Sequence, residues 1–320
     1  MSHVPRIQLS HNGGSIPVLG FGTAPDPPVA SEITKTAVLT AIKAGYRHFD
    51  TACLYYTEEP LGEAIAQALK EDLITSRGDL FITSKLWCSD AHGDRVVPAL
   101  QATLRKLNME YVDLYLVHWP VSSKPGVYEY PIKEEDFMAM DYKSVWEAME
   151  ECKKLGLAKS IGVSNFSRKK LAHVLSFATI PPAVNQVEVN PTWQQKEMIE
   201  FCKANGVVVT AYAPLGAIGT FYGSKNVMES DTLKEIANRR CKSVAQVCLR
   251  WAVEQGIAVV VKSFNEERMK QNLNIFDWEL SDEDHEQIRK IPQFRVCRGL
   301  DYTSKFGPFA IIEELWDGEV

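Results

Sequence analysis

The stretch KSVWEAMEECKKLGLAKSIGVSN, residues 143–165, contains the pattern that decides the fold. Its first part, residues 143–156, carries apolar residues at helical spacing and stops at a glycine. Its last part, residues 160–165, is a short run of mostly apolar residues, as expected of a buried strand. A helix that stops at glycine just ahead of a strand is typical of a repeating helix–strand unit.

The same alternation runs from one end of the chain to the other. Eight short runs, rich in β-branched and aromatic residues, predict strands, and several of them are apolar throughout, as in parallel strands covered on both faces. The eight runs are residues 18–23, 47–51, 80–86, 112–119, 160–165, 184–189, 207–213 and 258–263.

Amphipathic segments between these runs predict helices. They are residues 32–45, 93–107, 143–156, 169–178, 196–206 and 242–256. Four of them stop at Gly45, Gly156, Gly206 and Gly256, each just ahead of the next predicted strand. Eight strands that alternate with helices indicate an α/β protein, and most economically a closed (β/α)8 TIM barrel formed by residues 1–320 as a single domain. A doubly wound open sheet is the structural alternative.

Four segments fall outside this alternation. Residues 4–19, VPRIQLSHNGGSIPVL, predict an N-terminal β-hairpin around HNGG that covers the floor of the barrel. Residues 120–141, 216–230 and 293–320 lack periodicity, which favours functional loops. The first two follow strands, so a barrel would place both on its C-terminal face.

Composition excludes several classes of protein. A net charge of −6 and a pI near 5.7 disfavour nucleic acid as a partner, because phosphate binding needs a basic surface. The start of the chain lacks the apolar core of a signal peptide, and no apolar run is long enough to span a membrane. Seven scattered cysteines without a Cys-x-x-Cys pair predict reduced thiols in a cytoplasmic protein and no metal site.

Polar residues fall at the ends of the predicted strands, where barrel enzymes build their active sites. These residues are Thr23, Asp50, Lys85, His118, Ser164, Asn165, Gln186, Tyr212, Lys262 and Ser263. Taken singly, Asp50 could cap a turn and His118 could be a buried core histidine. Lys85 is different, because an ammonium at the buried end of an apolar strand needs a counter-ion, and Asp50 on the neighbouring strand is the obvious candidate.

An acid, a lysine, a histidine and a tyrosine in one cleft suit the reduction of a carbonyl group. Such a reduction needs a hydride on carbon and a proton on oxygen, and a neighbouring Lys⁺ would lower the pKa of a tyrosine that donates the proton. The stretch FDTACLYYTEEPLGEA, residues 49–64, offers both Tyr55 and Tyr56 for this role, and the pattern alone does not choose between them. Thr57 and the acids after it predict the start of a helix.

The hydride must come from a cofactor. GFGTAP, residues 20–25, is not the Gly-rich loop of a Rossmann fold, because it opens no helix. KSFNEERMKQNL, residues 262–273, carries Lys262, Ser263 and Arg268 after the eighth strand, where barrels commonly bind phosphate. Two cations there favour the extra 2′-phosphate of NADPH over NADH. Tyr212 could stack on the nicotinamide.

Seven segments together resemble the aldo-keto reductase family, in order and over nearly the whole chain. They are FDTACLYYTEEPLGEAI (49–65), LFITSKLW (80–87), VDLYLVHWP (112–120), IGVSNFS (161–167), NQVEVNP (185–191), AYAPLG (211–216) and VVKSFNEERMKQNL (260–273). The resemblance implies an NADP-dependent oxidoreductase whose (β/α)8 barrel binds NADPH without a Rossmann domain. It also favours the barrel over the open sheet.

The resemblance assigns roles to individual residues. The catalytic tetrad of the family corresponds to Asp50, Tyr55, Lys85 and His118, which selects Tyr55 as proton donor and leaves Tyr56 for the pocket. The implied cofactor contacts are Gly22, Thr23, Asp50, Ser164, Asn165, Gln186, Tyr212, Leu215, Lys262, Ser263, Phe264, Arg268, Gln271 and Asn272. Ala213 and Gln271 depart from the family pattern, in which serine and an acid are frequent at these positions.

Within the family, SKLWCSDAH (84–92), residues 144–171, residues 176–195 and the tail EELWDGEV resemble a plant subgroup. This subgroup includes codeinone reductase, chalcone reductase, methylecgonone reductase and deoxymugineic acid synthase. The predicted substrate is thus a ketone or aldehyde of plant specialised metabolism, with a keto-alkaloid favoured over a 3″-keto intermediate or a polyketide. The pocket is expected to be lined by Pro25, Tyr56, Trp87, His118, Trp119, Tyr128, Phe221 and Phe306.

Two other classes of function stay open at this stage. Some relatives of the family serve as non-catalytic binding subunits, and a barrel lyase could use Lys85 to form a Schiff base. The intact tetrad favours the reductase. The expected partner is a small-molecule carbonyl substrate, and a monomer suffices.

Overall fold

A closed ring of parallel strands forms the centre of the molecule in the computed structural model, which describes residues 4–10 and 14–320. In the described residues the strands of the ring are β3 Leu19–Gly22, β4 His48–Asp50, β5 Phe81–Leu86, β6 Val112–Val117, β9 Ala158–Ser164, β10 Val184–Glu188, β11 Val208–Tyr212 and β12 Ala258–Val261. Each strand pairs with the next, and β12 pairs with β3 to close the ring. The predicted (β/α)8 barrel is confirmed, and all eight strands lie within the predicted runs or overlap them.

Outside the ring, residues 4–10 and 14–320 form four further strands. β1 Arg6–Gln8 and β2 Ser15–Pro17 form an antiparallel hairpin, while β7 Ser122–Ser123 and β8 Phe137–Met138 form a second antiparallel pair in the loop after β6. Leu9 and Ile16 of the hairpin region pack against residues at the starts of barrel strands, including Phe81 and Val184. The hairpin therefore covers the N-terminal end of the barrel, as predicted. Three of the four residues predicted as its turn, 11–13, lie outside the described residues.

Helices surround the barrel. They are α1 Ser31–Ala44, α2 Glu58–Lys70, α3 Val96–Leu107, α4 Tyr142–Lys154, α5 Arg168–Leu175, α6 Lys196–Ala204, α7 Asn226–Glu229, α8 Asp231–Arg240, α9 Val244–Glu254, α10 Glu266–Leu273, α11 Asp282–Arg289 and α12 Ile312–Leu315. No helix in the described part of the chain combines the length and the apolar character that crossing a membrane requires.

The predicted glycine stops are the points where the chain turns back toward the sheet. Gly45, Gly156, Gly206 and Gly256 have φ angles of 117°, 75°, 67° and 77°, a left-handed conformation that glycine adopts without a steric penalty. The four helices ahead of them bury one face each and expose the other. The chain therefore leaves each of these helices at a defined point and enters the next barrel strand within a few residues.

The region after β4 differs from the sequence prediction in one respect. α2 begins at Glu58, so Thr57 does hold the position just before the helix, but its side chain does not cap the helix. Its hydroxyl group hydrogen-bonds instead to those of Thr23 and Thr51, at 2.8 Å and 2.9 Å. Thr57 therefore links the segments that follow β3 and β4. Its buried hydroxyl group forms two hydrogen bonds there, in place of one hydrogen bond to an N–H group of the helix.

The contact between α2 and α3 allows a test of the packing. A Cβ atom added to Gly62 of α2 would lie 2.3 Å from the carbonyl oxygen of Leu107, the last residue of α3, so the helices could not keep their separation. We expect Gly62→Ala to lower the free energy of unfolding by about 1–3 kcal/mol, measured by denaturant titration. Gly78→Ala is the control, because its Cβ would meet nothing closer than 3.4 Å. Equal stability of the two variants would contradict this packing.

Candidate active site

Four side chains named from the sequence meet at the C-terminal rim of the barrel. Asp50 is the last residue of β4, Lys85 lies in β5 and His118 follows β6 directly. Tyr55 ends a short 3-10 turn, Cys53–Tyr55, that follows β4. Because β4, β5 and β6 are neighbours in the ring, their ends point toward one small volume.

Lys85 lies at the centre of this group and is fully buried. Its Nζ atom donates to Asp50 Oδ1 at 2.6 Å, to the Thr51 carbonyl oxygen at 3.0 Å and to Tyr55 Oη at 3.4 Å. The other carboxylate oxygen of Asp50 accepts a hydrogen bond of 2.8 Å from Gln186. Burial lowers the pKa of Lys85, and the Asp50 carboxylate opposes that shift. Asp50 is thus the counter-ion that the buried lysine requires.

The protonation of Tyr55 differs from the sequence-based expectation. A neighbouring Lys⁺ was expected to lower the tyrosine pKa, but the pKa of Tyr55 is raised well above 10 by burial, with further contributions from Asp50 and Cys297. Burial prevails because a phenolate there would lose its water, and Lys85 at 3.4 Å is already neutralised by Asp50. Tyr55 therefore holds its proton at neutral pH, the state that a proton donor needs.

His118 completes the group on the side of β6. Its Nε2 atom lies 3.3 Å from Tyr55 Oη, and its carbonyl oxygen accepts a hydrogen bond of 3.1 Å from Asn165. Burial and the charge of Lys85 lower the pKa of His118 well below 6.5, so the ring is neutral. A neutral imidazole can accept a hydrogen bond from Tyr55 at Nε2, or donate one to a carbonyl oxygen, depending on its tautomer.

The two adjacent tyrosines occupy different environments. Tyr55 contacts both Lys85 and His118, whereas Tyr56 is 70% exposed and has a left-handed backbone with φ of 55°. Tyr56 lies on the side of Lys106 of α3. Only Tyr55 is therefore within reach of the lysine–aspartate pair.

A second network of hydrogen bonds spans the ends of β9, β10 and β11. Ser164 Oγ donates to the Gln186 carbonyl oxygen at 2.9 Å, and Asn165 Nδ2 lies 3.3 Å from Ser164 Oγ. Tyr212 Oη donates to Asn165 Oδ1 at 2.7 Å, while Gln186 reaches across to Asp50. The predicted carboxamide contacts and the predicted stacking tyrosine therefore form one connected set beside the lysine–aspartate pair. Leu215 lies half-buried in the turn that follows β11.

The end of β3 adjoins both networks. Thr23 is buried, and its backbone N–H and its hydroxyl group both donate to the Asp50 carbonyl oxygen at 3.0 Å. A Cβ atom on Gly22 would meet nothing closer than 3.8 Å, and its nearest neighbour would be Lys262. The backbone at Gly22 is therefore open toward the end of β12, where a ligand could approach it closely.

The segment after β12 places two cations beside the start of α10. Lys262 is exposed and its pKa is lowered by burial of part of its side chain and by the nearby charge of Arg268, while Asp26 opposes the shift. Neither cation forms an ion pair with a described residue. Asn265 caps α10 by accepting a hydrogen bond from the Arg268 N–H group at 2.9 Å. Two like charges beside a helix N-terminus are suited to bind an anionic group such as a phosphate.

The remaining residues predicted for this end of the cofactor differ in exposure. Ser263 is buried and accepts a hydrogen bond from the Asn265 N–H group at 3.1 Å, and Phe264 is half-buried with Lys262 over its ring. Gln271 is exposed on α10. Asn272 is 4% exposed and lies near the phenol of Tyr46, whose hydroxyl group donates to the Met269 carbonyl oxygen at 3.2 Å.

An aromatic wall extends from His118 along the opposite side of the site. It consists of five rings, Trp87, Trp119, Tyr130, Phe221 and Tyr302. Trp87 lies 5.8 Å from His118 between ring centroids, Tyr130 lies 6.3 Å from Trp87, and Tyr302 stacks on Trp119 at 3.6 Å. Phe221 is 6.1 Å from Tyr130. The segments after β5, β6 and β11 and the C-terminal segment therefore all contribute to one cluster of rings, in which Trp87, Trp119 and Tyr302 are buried.

The predicted pocket residues divide into two groups. Trp87, Trp119 and Phe221 belong to the wall, and Pro25 precedes Asp26, which accepts a hydrogen bond of 2.8 Å from the Phe221 N–H group. Tyr56, Tyr128 and Phe306 take no part in its ring contacts among the described residues: Tyr128 donates its hydroxyl hydrogen to Asp90, and Phe306 is 62% exposed beside Lys305.

Sequence reasoning missed Tyr130 and Tyr302. Both lie in segments that were predicted as loops, but the amino-acid pattern there does not distinguish inward-facing from outward-facing aromatics. The position of a ring in a loop depends on contacts with distant parts of the chain, as between Tyr302 and Trp119.

All seven cysteines are free thiols. Within the described residues there is no group of histidine, cysteine and acidic side chains that could hold a metal ion. Burial raises the pKa of the Cys297 thiol to about 12, so this thiol is uncharged at neutral pH.

Comparison with known proteins identifies close relatives. The model of the aldo/keto reductase family matches residues 18–293. Deoxymugineic acid synthase 1-A of Triticum aestivum is 60% identical over 305 residues, covering 95% of this chain and 97% of that protein. The (1S)-1,7-diacetoxy-luvungin A aldo-keto reductase of Citrus sinensis is 55% identical over 317 residues, covering 99% of both.

The solved structures include a similar barrel. The crystal structure of a Bombyx mori aldo-keto reductase in complex with NADP superimposes with a TM-score of 0.84 at 36% identity, covering 96% of this chain and 99% of that one.

Proposed function

Since the chain belongs to the aldo/keto reductase family, we propose that it is an NADPH-dependent reductase of a ketone or aldehyde of plant specialised metabolism. The observation that supports this proposal most directly is the buried group at the C-terminal rim, in which Lys85 joins Asp50 to Tyr55. Bound NADPH would supply the hydride that reduces the carbonyl carbon.

In the proposed reaction Tyr55 gives its proton to the carbonyl oxygen. Its raised pKa keeps that proton in place until negative charge develops on the substrate. Lys85, held by Asp50, then stabilises the phenolate that remains, since its Nζ atom lies 3.4 Å from Tyr55 Oη. His118 lies on the other side of the hydroxyl group and can position the carbonyl oxygen by a hydrogen bond.

The residues at the other end of the site fit NADPH. Lys262 and Arg268 offer two cations with no ion-pair partner in the described chain, at the position where a 2′-phosphate would lie beside α10. Gly22 leaves the backbone open, and Tyr212 presents a ring held in place by Asn165. Lys262 and Arg268 would hold the phosphate and Tyr212 would hold the nicotinamide, from strands that are neighbours in the ring.

The preference for NADPH can be tested at Arg268. We expect Arg268→Met to lower kcat/KM for NADPH by about 10- to 100-fold, the usual contribution of a charged hydrogen bond, while kcat/KM for NADH changes much less. Lys270→Met is a matched control, because Lys270 lies on the same helix but pairs with Glu266 at 2.7 Å. An equal effect of Arg268→Met on both cofactors would argue against a 2′-phosphate site here.

A more specific question is which ketone or aldehyde the protein reduces. The aromatic wall favours a bulky ketone, and we propose a keto-alkaloid whose positive charge the rings can stabilise. The 60% identity with deoxymugineic acid synthase supports a second candidate, a 3″-keto intermediate, and a polyketide is a third. Purified protein should be tested for NADPH consumption against a panel of these ketones and simple aldehydes. Failure to bind or consume NADPH with any of them would overturn the proposed reductase.

Experiments on the same purified protein distinguish the reductase from two other functions. A non-catalytic binding subunit would bind NADPH but reduce no carbonyl compound. A lyase using Lys85 would form an imine that borohydride traps on the lysine, whereas the reductase should form none. We further expect a monomer, because one chain supplies every residue of the site described above. The free cysteines favour a cytoplasmic location.

A further inference from the structure

A carboxylate lies at the outer edge of the aromatic wall. Asp301 precedes Tyr302 in a short 3-10 turn, Leu300–Tyr302, of the C-terminal segment. Its Oδ2 atom accepts a hydrogen bond of 2.9 Å from the hydroxyl group of Tyr130, in the loop after β6. Two loops that are far apart in sequence therefore fix the position of this carboxylate.

The wall leads from the proposed proton donor to this carboxylate. His118 lies beside Tyr55, Trp87 follows at 5.8 Å, and Tyr130 follows Trp87 at 6.3 Å. The hydroxyl end of Tyr130 carries the hydrogen bond to Asp301. A substrate with its carbonyl group at Tyr55 and its body along these rings would thus extend toward Asp301.

Asp301 is the charged group beside the outer end of the wall. Burial raises the pKa of Tyr130, and the hydrogen bond to Asp301 and the negative charge of Asp301 raise it further. Burial also raises the pKa of Tyr302. Asp301 forms no ion pair with a lysine, arginine or histidine of the described residues.

A carboxylate held in this way is suited to bind a cation. The carboxylate has one oxygen engaged by a neutral phenol, which fixes its position and leaves its charge uncompensated. Flanking aromatic faces attract cations as well, and attract them more strongly where water is partly excluded. An anionic substrate group would be repelled at the same place, and a neutral group would gain nothing from the charge.

We propose that Asp301, positioned by Tyr130, forms a binding subsite for a protonated amine and thereby selects ketones that carry one. This inference rests on the proposed reductase function and adds a charge requirement to its substrate. The ammonium group lies at the outer edge of the wall, away from the carbonyl group that is reduced. Asp301 touches the substrate in this arrangement, while Tyr130 is a positioning residue.

Two matched ketones test the subsite. 4-[4-(Dimethylaminomethyl)phenyl]cyclohexanone carries an amine that is protonated at neutral pH and lies beyond a phenyl ring from its carbonyl group, and 4-(4-isobutylphenyl)cyclohexanone is its neutral counterpart of nearly the same shape. The measured quantity is the ratio of kcat/KM for the two, with NADPH at saturation and with a simple aldehyde as a general substrate. We expect the wild-type protein to favour the amine, and Asp301→Asn to lower that ratio about tenfold, as for a charge-assisted contact.

The variants distinguish loss of the Asp301 charge from loss of its hydrogen bond with Tyr130. Asn at position 301 keeps an oxygen that can accept from Tyr130, so the loop contact stays while the charge is lost. Tyr130→Phe keeps the ring and the charge but frees the carboxylate, and should lower the ratio less than Asp301→Asn does. Glu147→Gln removes one negative charge from the exposed face of α4 and serves as the control, with the wild-type ratio expected.

The outcomes distinguish the proposed amine subsite from the proposed reductase function. If Asp301→Asn leaves the ratio at the wild-type value, or if the wild type reduces the neutral ketone as well as the amine, the subsite is wrong and the reductase function stands. Reduced discrimination at higher salt would support it, because screening weakens a charge contact. If the wild type reduces neither ketone nor the aldehyde, both the reductase and the subsite are overturned.

Discussion

Tyr55→Phe is expected to lower kcat by about 10²- to 10⁴-fold, the contribution usual for a general acid, while binding of NADPH is retained. The change removes a single oxygen from a ring that keeps its packing against His118, with centroids 5.5 Å apart. It removes the proton that the carbonyl oxygen would receive, and it removes nothing near Lys262 or Arg268. Steady-state NADPH consumption measures the first effect, and quenching of protein fluorescence by NADPH measures the second.

Tyr56→Phe is the matched control for this prediction. It deletes the same atom from the neighbouring residue, which is exposed and lies on the side of Lys106. We expect turnover close to that of the wild type. A loss of turnover in Tyr56→Phe together with an active Tyr55→Phe would transfer the proton donor to Tyr56, and the structural basis for choosing between them would be wrong.

Lys85→Met is expected to have the largest effect on both stability and turnover. The lysine is fully buried, and its removal leaves the Asp50 carboxylate buried without a counter-ion. Removing one partner of such a pair typically costs about 3–5 kcal/mol of folding free energy, because the remaining charge is uncompensated. Turnover should be lost as well, since no cation would remain to stabilise the phenolate of Tyr55. Denaturant titration and NADPH consumption measure the two effects.

A double variant separates these two roles of Lys85. In Asp50→Asn/Lys85→Met neither charge is present, and the amide at position 50 can still accept the hydrogen bond from Gln186. We expect the double variant to be more stable than Lys85→Met alone, because replacing a buried pair by uncharged groups is often neutral. Its turnover should stay as low as that of the single variant. Recovery of turnover would show that Lys85 acts through stability alone.

Much of the fold follows from local pattern. Each strand run is apolar because both of its faces are covered, and each glycine stop is a position where the chain needs a left-handed backbone, as at Gly45 and Gly156. The contact of Asp50 with Lys85 on the neighbouring strand follows from the same logic, because consecutive parallel strands are neighbours in a barrel. These features depend on a few adjacent residues, which is why the sequence alone predicts them.

Other features depend on the complete tertiary structure. The raised pKa of Tyr55 results from burial by distant segments, whereas the sequence showed only that a lysine would be near. The choice of Tyr55 over Tyr56 came from a family resemblance and not from the pattern. Tyr130 and Tyr302 meet only because the C-terminal segment returns across the barrel, with ring centroids 6.2 Å apart. Such contacts between loops leave no periodic signal.

The order of the barrel strands also separates the proposed proton-transfer residues from most of the proposed cofactor contacts along the sequence. The proposed proton-transfer residues are contributed by consecutive strands between positions 50 and 118, whereas most proposed cofactor contacts come from positions 164 to 272. Gly22, Thr23 and Asp50 are the exceptions, and ring closure brings β3 back beside β12. A recombination break in the loop after His118 would therefore exchange most of the proposed cofactor contacts between related genes while leaving the proton donor and its lysine in place.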